Sequence, residues 1–121
     1  MNNEQPNYEK LRIWQDSMDL VGRIYLMTKG FPKEEQFGIT SQLRRAAVSV
    51  PCNIAEGHGK VSQADFNRFL AISKGSLQEV NTLLQISLKL GYTIETQYQE
   101  MRGQIISLVR QVASLMKKLS S

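Results

Sequence analysis

Apolar residues recur every three or four positions along most of the chain, which is the spacing of an α-helix. The first helical segment carries two adjacent apolar stripes, Trp14, Met18, Val21 and Tyr25 on one and Ile13, Leu20, Ile24 and Met27 on the other. Aromatic residues at this spacing are typical of a core, so we expect four of them to pack inside the fold rather than stack on bases: Tyr8, Trp14, Tyr25 and Tyr98. Gly30 and Pro32 end the helix, because glycine accepts the left-handed conformation and proline cannot continue it.

A second helix is predicted to begin near Lys33 or Glu34, where acidic side chains complement the positive end of the helix dipole. Pro51 lies inside this helix, where its ring removes a hydrogen-bond donor and clashes with the carbonyl four residues earlier. The helix is therefore expected to kink at Pro51, or else to break into two pieces. Gly57 and Gly59 then end it.

The third helix is expected to start at an N-cap, Ser62, and to run to Leu90, where Gly91 ends it. Thr93 is then placed to cap the last helix. Part of the third helix has almost no side-chain bulk, so another helix can approach it closely: Ala71, Ser73, Gly75 and Ser76.

The last helix has the most regular pattern in the chain. Its apolar residues alternate spacings of four and three in a heptad seam: Ile94, Tyr98, Met101, Ile105, Leu108, Val112, Leu115 and Leu119. A second stripe lies beside the seam: Ile106, Val109, Ala113 and Met116. One core-facing surface needs only about three apolar residues in seven, so the excess predicts a second contact surface.

Four helices joined by short connections predict an all-α fold, an antiparallel up-down-up-down four-helix bundle whose second helix is kinked at Pro51. Residues 8–121 form this one domain, and residues 1–7 are expected to be a disordered N-terminus. The length of 121 residues fits a single core and leaves no room for a second.

Composition narrows the function classes. No stretch approaches the roughly 20 apolar residues of a membrane span, and the polar N-terminus does not resemble a signal peptide, so we expect a cytoplasmic protein. Cys52 is the only cysteine, which excludes an intramolecular disulfide and a thiolate metal cluster. The net charge of +4, from 15 basic and 11 acidic residues, suits a polyanionic partner without requiring one.

One run of sequence, QLRRAAVSVPCNIAEGHG from Gln42 to Gly59, resembles the signature of the bacterial four-helix bundle family encoded in intervening sequences of large-subunit ribosomal RNA genes. Supporting segments are LRIW at 11–14, GFPKEE at 30–35 and FLAISKGSLQE at 69–79, so the resemblance covers residues 8–92. The last helix agrees only in its pattern, and Cys52 stands where serine is expected.

The resemblance implies a compact four-helix bundle that assembles as a homopentamer and has no known catalytic activity. The wider family includes accessory proteins of diversity-generating retroelements, which look like basic barrels that bind nucleic acid and a reverse transcriptase. A ribosomal RNA insertion as genomic location is an association and does not itself establish RNA binding.

Five residues are expected to form a structural polar cluster: Arg44, Arg45, Asn53, Glu56 and Glu79. Arg44 and Arg45 lie among small apolar residues, and a partly buried arginine needs a partner, so we expect ion pairs with Glu56 and Glu79. The alternative is that the arginines bind phosphate. Asn53 is expected to satisfy backbone carbonyls freed by Pro51, with ligand binding as the alternative.

Catalytic chemistry has little support in the sequence. Cys52 and His58 are the sole members of their types, and six positions along a helix places them on different faces. No acid/base pair, metal cluster or glycine-rich phosphate loop occurs at a usable spacing, so no enzyme activity and no cofactor are predicted.

The cations expected to face solvent are Lys60, Arg68, Lys74, Arg102, Arg110, Lys117 and Lys118. Five chains of net charge +4 would carry about +20, and multiplied phosphate contacts strengthen binding. The leading hypothesis is therefore a non-enzymatic homo-oligomer that binds nucleic acid, RNA first, through these side chains. The alternative is a protein-interaction scaffold with incidental basic charge.

Overall fold

The computed structural model describes residues 6–121, which form four α-helices and two short 3₁₀ turns. The helices are α1 (Arg12–Thr28), α2 (Ile39–His58), α3 (Gln63–Lys89) and α4 (Glu95–Ser120), and the turns are Asn7–Lys10 and Lys33–Glu35. No strand occurs in this part of the chain, so the predicted all-α class is confirmed. Of the segment expected to be disordered, residues 1–5 lie outside the described residues, and Asn7 already belongs to the first turn.

Each helix packs against the next one along the chain, and α4 returns to α1. Pairs of hydrogen bonds at different heights fix the directions of neighbouring helices. Between α2 and α3, Ser73 donates to the Val50 carbonyl at 3.0 Å and the Ser76 hydroxyl lies 2.9 Å from that of Ser49. Between α3 and α4, Asn67 donates to Ser120 Oγ at 2.8 Å and Tyr98 donates to Asn81 at 3.2 Å. Gln111 of α4 donates to Asp16 of α1 at 3.3 Å. Consecutive helices are therefore antiparallel, as the predicted bundle requires.

The core is one continuous cluster to which all four helices contribute. In α1 the buried stripe contains Ile13, Leu20 and Ile24. The neighbouring stripe was expected to be core and is so only in part: Trp14 and Val21 are half-buried against the core, whereas Met18 is 45% exposed and Tyr25 39% exposed. Both stripes are apolar, and the packing of α1 against α2 and α4 decides which of them turns inward.

The second helix begins at Ile39, five or six residues later than the predicted start at Lys33 or Glu34. Its Ile39 N–H donates to the Glu35 carboxylate at 3.3 Å, so this acidic side chain accepts from the first turn of α2 instead of lying inside the helix. Gly38, with φ −109° and ψ −119°, precedes the helix in a non-helical conformation. The Lys33–Glu35 segment forms a separate 3₁₀ turn.

α2 continues through Pro51 without interruption, which rules out the alternative of a break into two helices. The kink at Pro51 stays a prediction. The predicted close approach of another helix to the small residues of α3 is confirmed at Ser73, whose hydroxyl reaches the α2 backbone, and at Ser76, whose hydroxyl is 2.9 Å from that of Ser49.

The predicted helix boundaries around α3 are confirmed. The Ser62 hydroxyl accepts a hydrogen bond from the Asp65 N–H at 3.1 Å, and Gly91, at φ 80°, takes the left-handed conformation after α3. Thr93 was predicted wrongly as the cap of α4. Its hydroxyl donates to the Gln97 side chain at 3.0 Å, and the residue that precedes the helix is Ile94.

The heptad seam of α4 faces the core, with Tyr98, Met101, Ile105, Leu108 and Val112 buried. The second stripe is less exposed than predicted, because Val109 and Met116 are half-buried against the core. Much of the unburied apolar surface thus lies on α1, on α3 and in the connections between helices. None of the helices formed by residues 6–121 is long and apolar enough to cross a lipid bilayer.

Candidate nucleic-acid interface

Two of the predicted cations meet at the connection between α2 and α3. The Nζ of Lys60 lies 5.2 Å from the centre of the Phe69 ring, and the guanidinium carbon of Arg68 lies 4.6 Å from the same ring. One aromatic ring therefore interacts with two positive charges. Asp65 moderates this charge, because its carboxylate lies 3.7 Å from Arg68 Nε.

A second cationic site runs between the start of α1 and the end of α4. It is a groove with three cations and no carboxylate among its lining residues, and we call it the basic groove: Leu11, Arg12, Ile13, Arg110, Gln111, Ser114, Leu115 and Lys118. Leu11, Ile13 and Leu115 add apolar atoms to the lining. Ser114 adds a neutral hydroxyl, whereas the Gln111 amide already donates to Asp16 at 3.3 Å and to Ser107 at 3.2 Å. The three cations and the Ser114 hydroxyl are donor types that bind phosphate oxygens.

Arg12 is a member of this groove that the sequence analysis missed. A cation in the first turn of a helix is disfavoured by the helix dipole, and Asp16 only partly compensates at 3.5 Å from Arg12 Nε. The predicted antiparallel order of the helices already indicates that Arg12 lies near the cations of α4. It brings the first turn of α1 beside the last turns of α4, which carry Arg110 and Lys118.

The remaining predicted cations are dispersed. Lys117 is exposed in the last turn of α4, near the basic groove, whereas Arg102 is exposed in the first half of α4. Lys74 is half-buried near the middle of α3. The structure therefore brings together Lys60 with Arg68 and Arg110 with Lys118, and leaves Lys74 and Arg102 apart.

The predicted polar cluster does not form its expected ion pairs. Arg44 turns towards α1: its Nε donates to Thr28 Oγ1 at 2.9 Å, and its guanidinium lies 4.5 Å from the centre of the Tyr25 ring. No carboxylate of the described residues lies within 4.0 Å of the Arg44 side chain. The Thr28 hydroxyl and the Tyr25 ring therefore take the place of Glu56 and Glu79 as the partners of this half-buried guanidinium. Its positive charge forms no ion pair among the described residues.

Arg45 and Glu79 line one small polar groove between α2 and α3, together with Ser49 and Ser76. Their charged atoms are not within 4.0 Å of each other. Asn53 donates to the Ser49 carbonyl at 2.8 Å. That carbonyl is not the one freed by Pro51, which belongs to Ala47, so the expected role of Asn53 is only partly correct.

An apolar groove separates the outer sides of α1 and α2. Its volume is about 350 Å³. We call it the apolar groove, and it is lined by Tyr8, Trp14, Met18, Val21, Val48, Pro51, Cys52 and Ala55. Tyr8 packs edge-on against Trp14 at one end, with ring centres 5.5 Å apart. The stripe predicted to be core in α1 is thus one wall of an open groove.

Cys52 and His58 have different surroundings. Cys52 is exposed in the apolar groove, whereas the His58 ring packs at right angles to Phe66 of α3, with ring centres 5.4 Å apart. Among residues 6–121, no three side chains of the histidine, cysteine, aspartate and glutamate types lie close enough together to hold a metal ion.

Tyr92 lies in the α3–α4 connection, at the end of the bundle opposite the basic groove. Its hydroxyl donates to the Glu35 carboxylate at 2.8 Å and so ties the α3–α4 connection to the α1–α2 connection. This hydrogen bond, followed by partial burial and the negative charges of Glu35 and Glu34, raises the pKa of Tyr92. Its role is structural, since it links two loops at one end of the bundle.

A solved structure has a similar fold. It is a protein of unknown function from the S23 ribosomal protein family of Bacteroides thetaiotaomicron, which aligns with a TM-score of 0.81 over 87% of this chain and 98% of its own, at 23% identity. That likeness supports the four-helix architecture. No curated protein matches the chain.

The family assignment comes from the sequence itself. The family model described as 23S rRNA-intervening sequence protein matches residues 9–114, from the first turn to the last third of α4. This is most of the chain, and it includes the last helix, which the resemblance of individual motifs did not cover. The chain therefore belongs to the 23S rRNA-intervening sequence protein family.

Proposed function

We propose that this chain is a non-enzymatic, homo-oligomeric helical bundle of the cytoplasm that binds RNA through arginine and lysine contacts to phosphates. The observation that carries the proposal is the basic groove, in which Arg12, Arg110 and Lys118 line one concave surface. Among the described residues, only one carboxylate, Asp16, lies within 4.0 Å of any of the three, at 3.5 Å from Arg12 Nε. Such a surface attracts a polyanion irrespective of its base sequence.

Lys60 and Arg68 extend the positive surface. They lie at the start of α3, which packs against the end of α4 through Asn67 and Ser120. The two cationic sites therefore occupy the same end of the bundle. An RNA backbone that follows this end would meet several cations on a single chain, although Asp16 and Asp65 weaken the contribution of two of them.

Self-assembly supports the proposal because a single chain offers few phosphate contacts. Exposed apolar side chains on α1, with Met18 45% exposed, favour association of copies. Each added copy repeats the same cationic end, and the resemblance to family members implies five copies. Linked sites bind far more tightly than each site alone.

RNA is the nucleic acid to test first, because the family is described by its connection with intervening sequences of 23S ribosomal RNA. Filter binding to a structured RNA at about 50 mM and about 200 mM salt tests the proposal. We expect affinity to fall steeply between the two concentrations, since each neutralised phosphate releases counterions. Absence of binding at the lower salt, or affinity that does not change with salt, would contradict RNA binding.

A matched pair of variants locates the surface. The variant Arg12→Gln/Arg110→Gln/Lys118→Gln removes three charges from the basic groove, whereas Lys29→Gln/Lys33→Gln/Lys89→Gln removes three exposed charges from the opposite end. We expect only the first to lower the slope of log affinity against log salt, by about 2 to 3. Equal effects would refute the basic groove as the site, and recovery of a stoichiometric protein without RNA from cells would favour the scaffold alternative.

A further inference from the structure

α3 exposes a straight stripe of side chains on its outer face. Ile72 is 43% exposed and Ile86 is 42% exposed, and Glu79 lies midway between them at intervals of seven residues. Seven residues make nearly two helical turns, so the three side chains share one face, which we call the isoleucine stripe. Gly75 is exposed between them and adds no bulk, which allows another surface to approach closely.

The isoleucine stripe and the apolar groove have complementary charges. Arg44 lies beside Tyr25 at one end of the α1 wall of the groove and has no carboxylate within 4.0 Å among residues 6–121. Glu79 is exposed at the centre of the stripe, and no cation of the described residues lies within 4.0 Å of it. Arg45 lines the same small polar groove as Glu79 but forms no ion pair with it. Each surface therefore combines exposed apolar side chains with one charge that makes no ion pair among the described residues, and the two charges are opposite.

We propose that the apolar groove binds the isoleucine stripe of a second copy of this chain, with Arg44 paired to Glu79 of that copy. The inference rests on the self-assembly proposed above and names the two surfaces that make it. Charge complementarity selects a second copy as the occupant, because the same chain carries both halves of the contact.

The spacing of the two surfaces agrees. Met18 and Tyr25 are separated by seven residues on α1, or about 10.5 Å of helix, and each isoleucine is separated from Glu79 by the same distance on α3. When Glu79 pairs with Arg44 over Tyr25, one isoleucine of the stripe therefore lies beside Met18. The flexible methionine side chain fills irregular gaps well, which suits this contact.

The contact joins different surfaces of the two copies and is therefore heterologous. Such contacts generate a ring when the rotation between copies closes, and a filament when it does not. The basic groove lies between α1 and α4, on a side of the bundle that neither surface includes. Because the proposed contact uses none of the lining residues of the basic groove, the contact itself does not cover that groove.

Mixing two variants tests the assignment. Met18→Glu places a carboxylate in the groove, and Ile72→Glu/Ile86→Glu places two in the stripe. We expect each variant alone to have the mass of one chain, 13.8 kDa, and an equimolar mixture to form a 1:1 complex of twice that mass, about 27.6 kDa. Only one intact groove and one intact stripe remain in that mixture, so the complex cannot grow further.

A control substitution and a charge exchange complete the test. Leu26→Glu changes a more exposed residue on another side of α1, at 71% exposure, and should leave the wild-type mass unchanged. Arg44→Glu and Glu79→Arg should each weaken assembly, and the double variant should restore it, while circular dichroism shows that all variants remain helical. Wild-type mass in both groove and stripe variants, or no complex in their mixture, would overturn the assignment of surfaces. A monomeric wild type would instead overturn the proposed self-assembly.

Discussion

Gly57 of α2 lies so close to α3 that a β-carbon on it would come within 2.6 Å of the Cβ of Phe69. It would also lie 3.1 Å from Cδ1 of Phe66. Phe69 is buried and bears the cations Lys60 and Arg68 on its ring, so the absence of a side chain at Gly57 sets the position of the cationic end of α3. A residue expected only to end a helix thus also determines how two helices pack.

We expect Gly57→Ala to lower the free energy of unfolding by about 1 to 3 kcal/mol, because the added methyl group meets the Cβ of Phe69, which can move only with the backbone of α3. The control is Gly103→Ala on α4, where a β-carbon meets nothing within 4 Å. That control should raise the free energy by about 0.5 to 1 kcal/mol through helix propensity. Denaturant titration measures both, and equal stabilisation by the two substitutions would contradict the close contact.

The hydrogen bond from Tyr92 to Glu35 makes stability depend on pH in the alkaline range. Because the pKa of Tyr92 is raised above its ordinary value of 10.0, the folded state holds this proton more tightly than the unfolded state. The stabilisation is complete below about pH 10 and is lost as pH rises through the folded-state pKa. We expect thermal stability to fall in that interval, and to fall less in Tyr92→Phe.

Glu35→Gln separates the contributions to this shift. It keeps an oxygen acceptor but removes the charge, so the pKa of Tyr92 should decrease toward its ordinary value in an absorbance titration of tyrosinate. An identical alkaline dependence of stability in wild type and Tyr92→Phe would show that the loop link does not form.

Cys52 reports on whether the apolar groove is occupied. Its side chain is exposed in the single chain, and a second copy seated in the groove would cover it. We expect iodoacetamide to alkylate Cys52 more slowly in the wild type than in Met18→Glu at the same protein concentration. Equal rates in the folded proteins would contradict burial of this groove, and equal rates in denaturant provide the control for intrinsic reactivity.

Periodicity predicted the four helices because their apolar spacing is regular and because local residues mark several of their ends. Ser62 and Gly91 act through their own backbone neighbourhood, so their roles are visible in the sequence. The start of α2 could not be located from the sequence, because it depends on a hydrogen bond from the Ile39 N–H to the Glu35 side chain. Thr93 does not cap α4 because its hydroxyl donates a hydrogen bond to the Gln97 side chain and not to the backbone of the first turn.

The surfaces were harder to predict than the helices. α1 has two apolar stripes of similar quality, and only packing against α2 and α4 reveals that the stripe with Met18 and Tyr25 faces outward. The partners of Arg44 were likewise set by the rotation of α2, which turns the guanidinium to Thr28 on α1. Sequence spacing along α2 contains no information about that rotation.

The basic groove contains residues that the sequence pattern predicts and one residue that only the packing of the helices adds. Arg110 and Lys118 were identified as exposed cations from the pattern of α4 alone, whereas Arg12 joins them only because α1 and α4 are antiparallel neighbours. The topology itself was predicted, so the proximity of these residues could have been inferred. Lys74 and Arg102 remain outside the groove, since their positions along the helices differ by several turns from the cationic end.

Self-assembly is the property on which both the multiplied RNA contacts and the pairing of groove with stripe depend, and the mass in solution measures it directly. Light scattering on the purified chain across a wide range of concentrations should give one defined species. We expect five copies of 13.8 kDa, about 69 kDa. A constant mass of 13.8 kDa up to the highest concentration would contradict assembly through the exposed apolar surfaces.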